Sequence, residues 1–479
     1  MPNLIRFNPS KCSNDYYPLE ESDFCANILL KLCQREIIME NEFQLIANIV
    51  LLLMIIYSII YIRTYKQFTL LSTNQRTSSK TKLALLLISG ICLRIFLAFF
   101  YTGHPTDMTC WSGWALGMAN YGPGSFYESM QFADYPPGYL LILWPIGILL
   151  RLTELPYTHT LHSMLLKLPI IIFDLLTTLL IYYYAEKGQH KNPLLLAAFF
   201  FFNPAVLLTS SIWGQVDIVF SFFVILMLIS LYNERLLYAS IAFVLGLLIK
   251  PQMFLFGPIF VIGYYYYCKE KPAQTVIKQT LISGLIALGV FILICLPFLI
   301  TKKDPLWLFK LYFSTMGSYP YGSLNATNFI AIINGLWAPD TATFLGLSYK
   351  LIGLIGILFS IGYTAFLAIK DSTKNNLALY GALMITGIFT LGHHMHERYI
   401  FPALVCLILA YLYRPHKNTL HFFVYFSVLE TLNMSLVLTD SYLFSYQLMP
   451  LILSYLQVIG YILLCIYSYQ ACKLSKEAI

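Results

Sequence analysis

The chain has 479 residues, of which 58% are hydrophobic and only 11% charged, and its mean hydropathy is +0.69. Soluble domains carry about 25% charged residues, so the composition excludes an ordinary soluble protein and indicates a polytopic membrane protein. The formal charge of +7 is spread over short loops, where Lys and Arg set topology, and gives no argument for nucleic acid.

In chain order, residues 1–43 read as a mostly polar tail carrying Asp15, Glu20, Glu21 and Asp23, with no secretory signal expected. Apolar runs of about 15 to 22 residues, enough to cross or nearly cross a bilayer, follow at 44–62, 83–101, 166–186, 194–210, 218–232, 236–250, 253–267, 281–300, 347–369, 377–391, 400–413, 420–438 and 449–470. The stretch 139–152 is apolar but brief, contains Pro145 and Gly147, and is expected to dip into the membrane without crossing. The fold class is therefore an all-α polytopic bundle of about 11–14 transmembrane helices with re-entrant or broken segments. The 36 Tyr and 35 Phe suit interfacial aromatic belts, with Tyr264 to Tyr267 as one of them. Ten cysteines form neither C-x-x-C nor zinc spacing. Cys92, Cys295, Cys406 and Cys465 read as buried small residues, and Cys12, Cys25 and Cys33 lie in the tail.

The positive-inside bias orients the chain. Arg63, Lys66, Arg76, Lys80 and Lys82 mark a cytoplasmic loop, as do Lys187 with Lys191, Lys269 with Lys271 and Lys278, Lys370 with Lys374, and Arg414 with Lys417. Residues 102–138, 211–217, 301–346 and 392–399 then face outside, and these loops hold nearly all the unusual polar motifs.

The sharpest of those motifs is His393-His394-Met395-His396-Glu397-Arg398-Tyr399, placed between two apolar runs. Ionisable groups at membrane depth are costly, so a cluster there is a candidate functional site. It lacks the H-E-x-x-H pattern because Ile400 stands where the second histidine would be, which favours anion binding over a metal. Arg398 with histidines makes a phosphate cradle through charge-assisted hydrogen bonds. In the first outer loop, Asp107 follows a helix end and reads equally as a helix cap or as a general base for a hydroxyl. Asp134 precedes a Pro-Pro-Gly turn, Asn203-Pro204 breaks a helix, and Trp213-Gly-Gln-Val-Asp217 resumes one. Asp217 also suits a cap, and Lys250 reads as an anion ligand or a snorkelling cation. Residues 319–328 offer the aromatic faces and donors that sugars prefer, while Asn325-Ala-Thr327 also matches a glycosylation sequon by chance. No Walker loop, G-x-G-x-x-G or D-x-D is present, so nucleotide handling is unsupported.

In this order, Asp107, Asp134-Tyr-Pro-Pro-Gly, Trp213-Gly-Gln-Val-Asp217, Lys250-Pro-Gln252, Ser323-Leu-Asn-Ala-Thr-Asn328 and His394-Met-His-Glu-Arg-Tyr399 resemble the GT-C superfamily of membrane glycosyltransferases. In particular they resemble the bacterial group related to the GPI mannosyltransferase that adds the second mannose. The His-x-His-Glu-Arg string is also similar to that of the ER dolichol-linked glucosyltransferases. The resemblance covers roughly residues 83–413, the expected catalytic core. It leaves the helix and loop of 44–82 without a role and sets 414–479 apart as C-terminal helices.

The resemblance implies a GT-C bundle whose large first outer loop carries short amphipathic helices. It also implies a multi-pass protein of a bacterial plasma membrane with an extracytoplasmic site. The expected reaction moves a hexose, mannose by analogy, from a polyprenyl-phosphate sugar to a glycan or glycolipid hydroxyl with inversion. Asp107 is then the base, and His394, His396, Arg398 and Lys250 hold the donor phosphate. His104, Asp134, Tyr135, Trp213, Gln215, Asp217, Gln252, Asn325, Asn328, His393 and Glu397 line the substrate pocket. No cofactor is required, and a divalent metal is not expected. The alternative is a transporter or flippase of a lipid-linked sugar, which would keep its charges near the midplane on discontinuous, repeated helices. Asp174 is the main acid read as deep in a span, and no repeat is visible.

Overall fold

The computed structural model describes residues 48–63, 80–299, 304, 306–317, 319–371, 373–439 and 448–477. The tail with its three cysteines, and Lys66 and Arg76 of the first basic loop, lie outside the described residues. The chain divides into two compact units, Met1–Ile49 and Val50–Ile479, and the second carries the candidate site.

The helices in order are α1 (Asn48–Arg63), α2 (Lys80–Phe100), α3 (Pro105–Ser129), α4 (Pro137–Thr153), α5 (Thr160–Lys187), α6 (Pro193–Phe201) and α7 (Pro204–Leu207). Next come α8 (Asp217–Tyr232), α9 (Leu236–Ile249), α10 (Gly257–Lys269), α11 (Ala273–Leu299), α12 (Trp307–Gly317) and α13 (Phe329–Ile332). The last are α14 (Tyr349–Lys370), α15 (Leu377–Leu391), α16 (Phe401–Tyr413), α17 (Lys417–Leu438) and α18 (Leu448–Glu477). A π-helical turn, Leu208–Trp213, extends α7, and a 3₁₀ turn, Pro251–Phe256, precedes α10. Four two-residue strands, β1 (Ser323–Leu324), β2 (Thr343–Phe344), β3 (Leu347–Ser348) and β4 (Met395–His396), complete the fold. Proline opens α3, α4, α6, α7 and α16 in the first turn, where its missing N–H costs nothing.

Among the described residues, six helices (α2, α5, α11, α14, α17, α18) are long and apolar enough to cross a membrane, and α6 with Pro204–Trp213, bent by 46°, is either a broken span or a re-entrant pair. The chain is thus an integral, multi-pass, all-α membrane protein. The remaining expected spans are shorter helices. Two of these, α15 and α16, are buried on almost every side, as expected for helices apolar all round and lying at the centre of a bundle. The span read at 253–267 is a 3₁₀ turn followed by α10, and the one read at 194–210 is a broken helix.

Both ends of α4 lie near one end of the bundle. At its start a β-carbon on Gly138 would sit 2.5 Å from the Leu248 carbonyl oxygen, beside Lys250. Further along, Gly147 packs directly on Ala115, and the Arg151 guanidinium donates to the Ala119 carbonyl. The chain then returns at once to the first turns of α3, with the Tyr157 hydroxyl 3.1 Å from Thr109 and His162 2.8 Å from Ser112. So α4 leaves and re-enters at the same end, and α3 with α4 forms a capping layer there. Gly122 (φ +66°) kinks α3, which lets 123–136 fold back to α4.

At the opposite end the basic loops gather. Glu234 pairs with Lys271 and Lys374, Lys374 reaches Glu270 at 3.0 Å, and the Arg414 guanidinium donates to the Ala471 carbonyl at 2.8 Å. Lys271 and then Lys374 hold the Glu234 carboxyl down to about 2. Of the cysteines expected inside the core, Cys295 and Cys406 are buried, Cys465 is half-buried, and Cys92 is exposed on the outer face of α2. Apolar surroundings in a bilayer make an outward thiol as acceptable as an inward one.

Inside the bundle, Arg94 of α2 donates to Asp174 of α5 at 2.7 Å and to the Phe201 carbonyl at 2.7 Å, with both charged side chains fully buried. Asp174, the deep acid in the sequence, is therefore half of an ion pair. Removing one member of such a pair strands the other charge, so Asp174→Ala is expected to destabilise the protein by about 3–5 kcal/mol. Replacing both by leucine should recover most of that loss, and thermal melting of the purified variants checks it.

Candidate active site

Five separate elements bring charge to the end of the bundle capped by α3 and α4. Asp107 lies in the first turn of α3, which starts at Pro105 with His104 as its flanking residue. Neither the His104 nor the Asp107 side chain caps the helix. The Asp107 carboxylate instead accepts the Trp213 indole N–H at 2.7 Å, and His104 Nδ1 lies 3.4 Å from the same oxygen. The His104 ring stacks on Trp213 with centroids 4.7 Å apart. Burial alone would raise the Asp107 pKa, but Arg398, His104, Trp213 and Gln215 together outweigh it and hold the group below the usual carboxylate range. His104 is lowered by burial, so it is a neutral neighbour at pH 7.

The indole is aimed by the π-helical turn that ends at Trp213, an unusual turn often found at functional sites. The turn closes with Gly214 at φ +86°, where a β-carbon would meet Met108 Sδ at 2.7 Å, so only glycine fits without strain. Below it the Lys167 ammonium donates to three carbonyls, Tyr101 at 2.5 Å, Ser211 at 2.9 Å and Ile212 at 3.0 Å. Lys167 was not singled out in the sequence, although a lysine inside an apolar span is the signal that finds it. As a positioning residue it fixes the carbonyls just ahead of Trp213. Lys167→Met is expected to lower turnover on the order of 100-fold, the scale of a small misplacement of a reacting group, while leaving the donor KM unchanged. Steady-state kinetics on the purified variant would separate those two effects.

Asp217 opens α8, and its carboxylate is taken by Lys250 at 2.8 Å rather than by the helix N-terminus. Lys250 is buried, with its ammonium 5.5 Å from the Tyr399 ring centroid, so snorkelling does not describe it. Arg398 bridges the carboxylates: it pairs with Glu397, its Nε lies 3.7 Å from Asp217 Oδ2, and its guanidinium carbon is 5.7 Å from the Trp213 ring centroid. Burial pulls its pKa down, but Glu397, Asp107 and Asp217 more than compensate and keep it cationic. Among the described residues, Arg398 Nε has no hydrogen-bond partner. That N–H instead faces Asp217 Oδ2, which is likewise without a hydrogen bond among the described residues.

The histidine motif is held by strand pairing. β1 runs parallel to β4, with Leu324 opposite His396, and Asn325 bridges to His396 as well. His396 packs edge-on to Tyr319 at 5.3 Å, and burial followed by Arg398 and Lys250 lowers its pKa well below that of a free histidine. His394 sits in the left-handed region at φ +57°, a backbone state that is costly for a non-glycine residue. That turn sends its Nε2 to Asp340 at 3.0 Å. His393 is packed against Gly353 of α14 and against His394, and burial pushes it down to about 4.

The other expected pocket residues divide in two. Asp134, Tyr135 and Gln215 stay with the cluster, and Gln252 sits in the 3₁₀ turn that follows Lys250. Burial raises the Asp134 carboxyl to about 6, with Asp107 adding to the rise. Tyr135 packs edge-on to Trp111 at 5.0 Å and lies in the field of Asp217. Gln215 Nε2 and Gln252 Oε1 are buried without a hydrogen-bond partner among the described residues. Asn325 and Asn328, by contrast, are committed to the loop. Asn325 accepts from the Trp337 indole at 2.7 Å. Asn328 caps α13 and donates to the Phe389 and Gly392 carbonyls, each at 3.1 Å. Asp340 and Trp337 were not among the expected residues, because nothing local distinguishes them from loop residues.

The arrangement is a half-buried carboxylate and a half-buried guanidinium on either side of an indole, at one end of an all-α bundle. Residues 134–313 match the model of the ALG6, ALG8 glycosyltransferase family. This match supports a membrane glycosyltransferase and lends nothing to a transporter. It covers less than half of the chain, starting after Asp107 and ending before the histidine motif. No curated protein matches the chain.

Proposed function

We propose that the protein transfers a hexose from a polyprenyl-phosphate sugar to a glycan or glycolipid hydroxyl, on the extracytoplasmic face of a bacterial plasma membrane. The observation that carries this reading is the Trp213 indole, which bonds Asp107 on one side and lies under Arg398 on the other. Asp107 takes the proton of the acceptor hydroxyl as its oxygen attacks the anomeric carbon. The bond from that carbon to the phosphate oxygen breaks, and the electron pair leaves on the phosphate. A lipid phosphate is a good leaving group, so the transition state needs fixed positive charge more than a strong acid. Arg398 supplies that charge, with His396 and Lys250 beside it. Attack in one step inverts the anomeric centre and needs one carboxylate, unlike the paired carboxylates of glycosidases. The reading calls for no metal ion.

His394 belongs to this phosphate group only through the loop, because its ring is occupied by Asp340. Gln215, Gln252 and Asp134 offer polar atoms for sugar or acceptor hydroxyls. A purified preparation incubated with synthetic polyprenyl-phosphate mannose, glucose and galactose, plus a glycolipid acceptor, tests the reaction. Loss of one donor is expected, with mannose the first to try by the motif resemblance; loss of none removes the proposal.

The pH dependence follows from Asp134. Its folded pKa lies near 6, above its free value of 3.8, so as a sugar-binding carboxylate it loses charge when pH falls through about 6. Transfer is expected to fall by half near that pH, and Asp134→Asn should remove the acid limb. The sign for stability is the reverse: folding favours the protonated acid, so this group costs stability as pH rises from 3.8 through 6. A pH–rate profile of both proteins checks the assignment.

A further inference from the structure

The short hairpin formed by β2 and β3 pairs Thr343 with Ser348 and Phe344 with Leu347. Its two turn residues, Leu345 and Gly346, have φ +51° and +83°. Such a turn favours Asn, Asp or Gly at both positions, and leucine there is strained. Leucine is also the most exposed large apolar residue at this end, at 89%, with Phe344 at 37% and Leu347 at 46%. Neither turn chemistry nor internal packing accounts for it.

The position of the hairpin supplies the reason. It runs directly into α14, one of the helices long enough to cross the membrane. Ser348 caps that helix by accepting from the Leu351 N–H at 3.2 Å. The Tyr349 N–H donates to the Ala342 carbonyl at 3.0 Å and the Lys350 N–H to the Asp340 carbonyl at 2.9 Å, so the hairpin is fixed to the first turn of the helix. The exposed face of α14 is aliphatic, through Leu351, Leu354, Ile355 and Leu358. Leu347 lies in β3, two residues before α14 begins, so the exposed apolar tip adjoins the start of that helix.

From this adjacency we infer that Phe344, Leu345 and Leu347 form a foot that seats in the lipid headgroup and upper acyl region beside α14. The occupant is the bilayer itself, because the tip is apolar, small, and adjoins the exposed aliphatic face of a helix long enough to cross the membrane. Its consequence is positional. Asp340, which holds His394, lies three residues before β2, and β1 of the same loop pairs with the His396 strand. The foot thus ties the loop over the candidate site to the membrane surface from which a lipid-linked donor would enter.

The experiment uses the full chain in nanodiscs of phosphatidylcholine and phosphatidylglycerol containing a phospholipid with a diazirine on its acyl chain. After photolysis, peptide mass spectrometry locates the adducts. Adducts on residues 344–347 together with Leu354 and Ile355 are expected. Leu345→Asn suits the turn and should cut tip adducts several-fold, with α14 labelling and the melting temperature unchanged. A labelled α14 with a bare tip overturns the inference. So does a bare tip that is protected from hydroxyl-radical footprinting, which would indicate a protein or a second copy as occupant. None of these readouts depends on sugar transfer, so the proposed reaction and the foot succeed or fail separately.

Discussion

Asp107→Asn is expected to reduce sugar transfer by about 10²–10⁴-fold, the range attributable to a single general base. The amide is isosteric and can still accept the Trp213 indole N–H, so the His104–Trp213 stack and the start of α3 should persist. Melting temperature should therefore stay close to wild type while donor consumption collapses. Since Asp107 is held below the ordinary carboxylate range, the wild-type enzyme should show no acid limb from this group at pH 5 to 8. A variant with wild-type turnover would take Asp107 out of the chemistry and leave it as a structural acceptor for the indole.

Arg398→Ala is expected to lower kcat/KM for the donor by about 10²–10³-fold, the scale for losing one preorganised donor to a developing anion. Alanine also leaves Glu397 buried and removes a positive charge from Asp217, so folding suffers alongside catalysis. Arg398→Lys separates the two. Lysine keeps the charge for the carboxylates but not the planar fork, so it should fold normally and still bind the donor more weakly. An unchanged donor KM in the lysine variant would assign Arg398 to the ion-pair network alone.

Much of this was legible in the chain because hydropathy and charge act locally. Most apolar runs became single helices, those at 194–210 and 253–267 being interrupted, and the basic loops among the described residues gathered at one end, away from the polar motifs. The stretch 139–152, expected to dip so that the loop count would close, became a helix packed along α3. Asp107, Asp217 and Arg398 were identifiable because ionisable groups are rare among so many apolar neighbours. The roles of neighbours were less legible. Asp107 and Asp217 both looked like caps, yet their oxygens went to Trp213 and Lys250, partners more than thirty residues away. His394 and His396 stand two residues apart and belong to different environments, one on Asp340 and the other among Tyr319, Tyr399 and Arg398.

By itself the sequence determined a membrane-spanning all-α chain, its inner and outer loops as expectations, and the short roster of charges available for chemistry. Those follow from composition and from spacing along one segment, where each residue's preference is nearly independent of distant ones. Only the tertiary structure decided which charges neutralise each other, that Lys167 props the Trp213 turn, that Asn328 latches a loop, and that Arg398 stands between Glu397 and Asp217. Such outcomes depend on packing between helices far apart in the chain, and a buried charge takes whichever opposite charge or carbonyl that packing brings within about 3 Å.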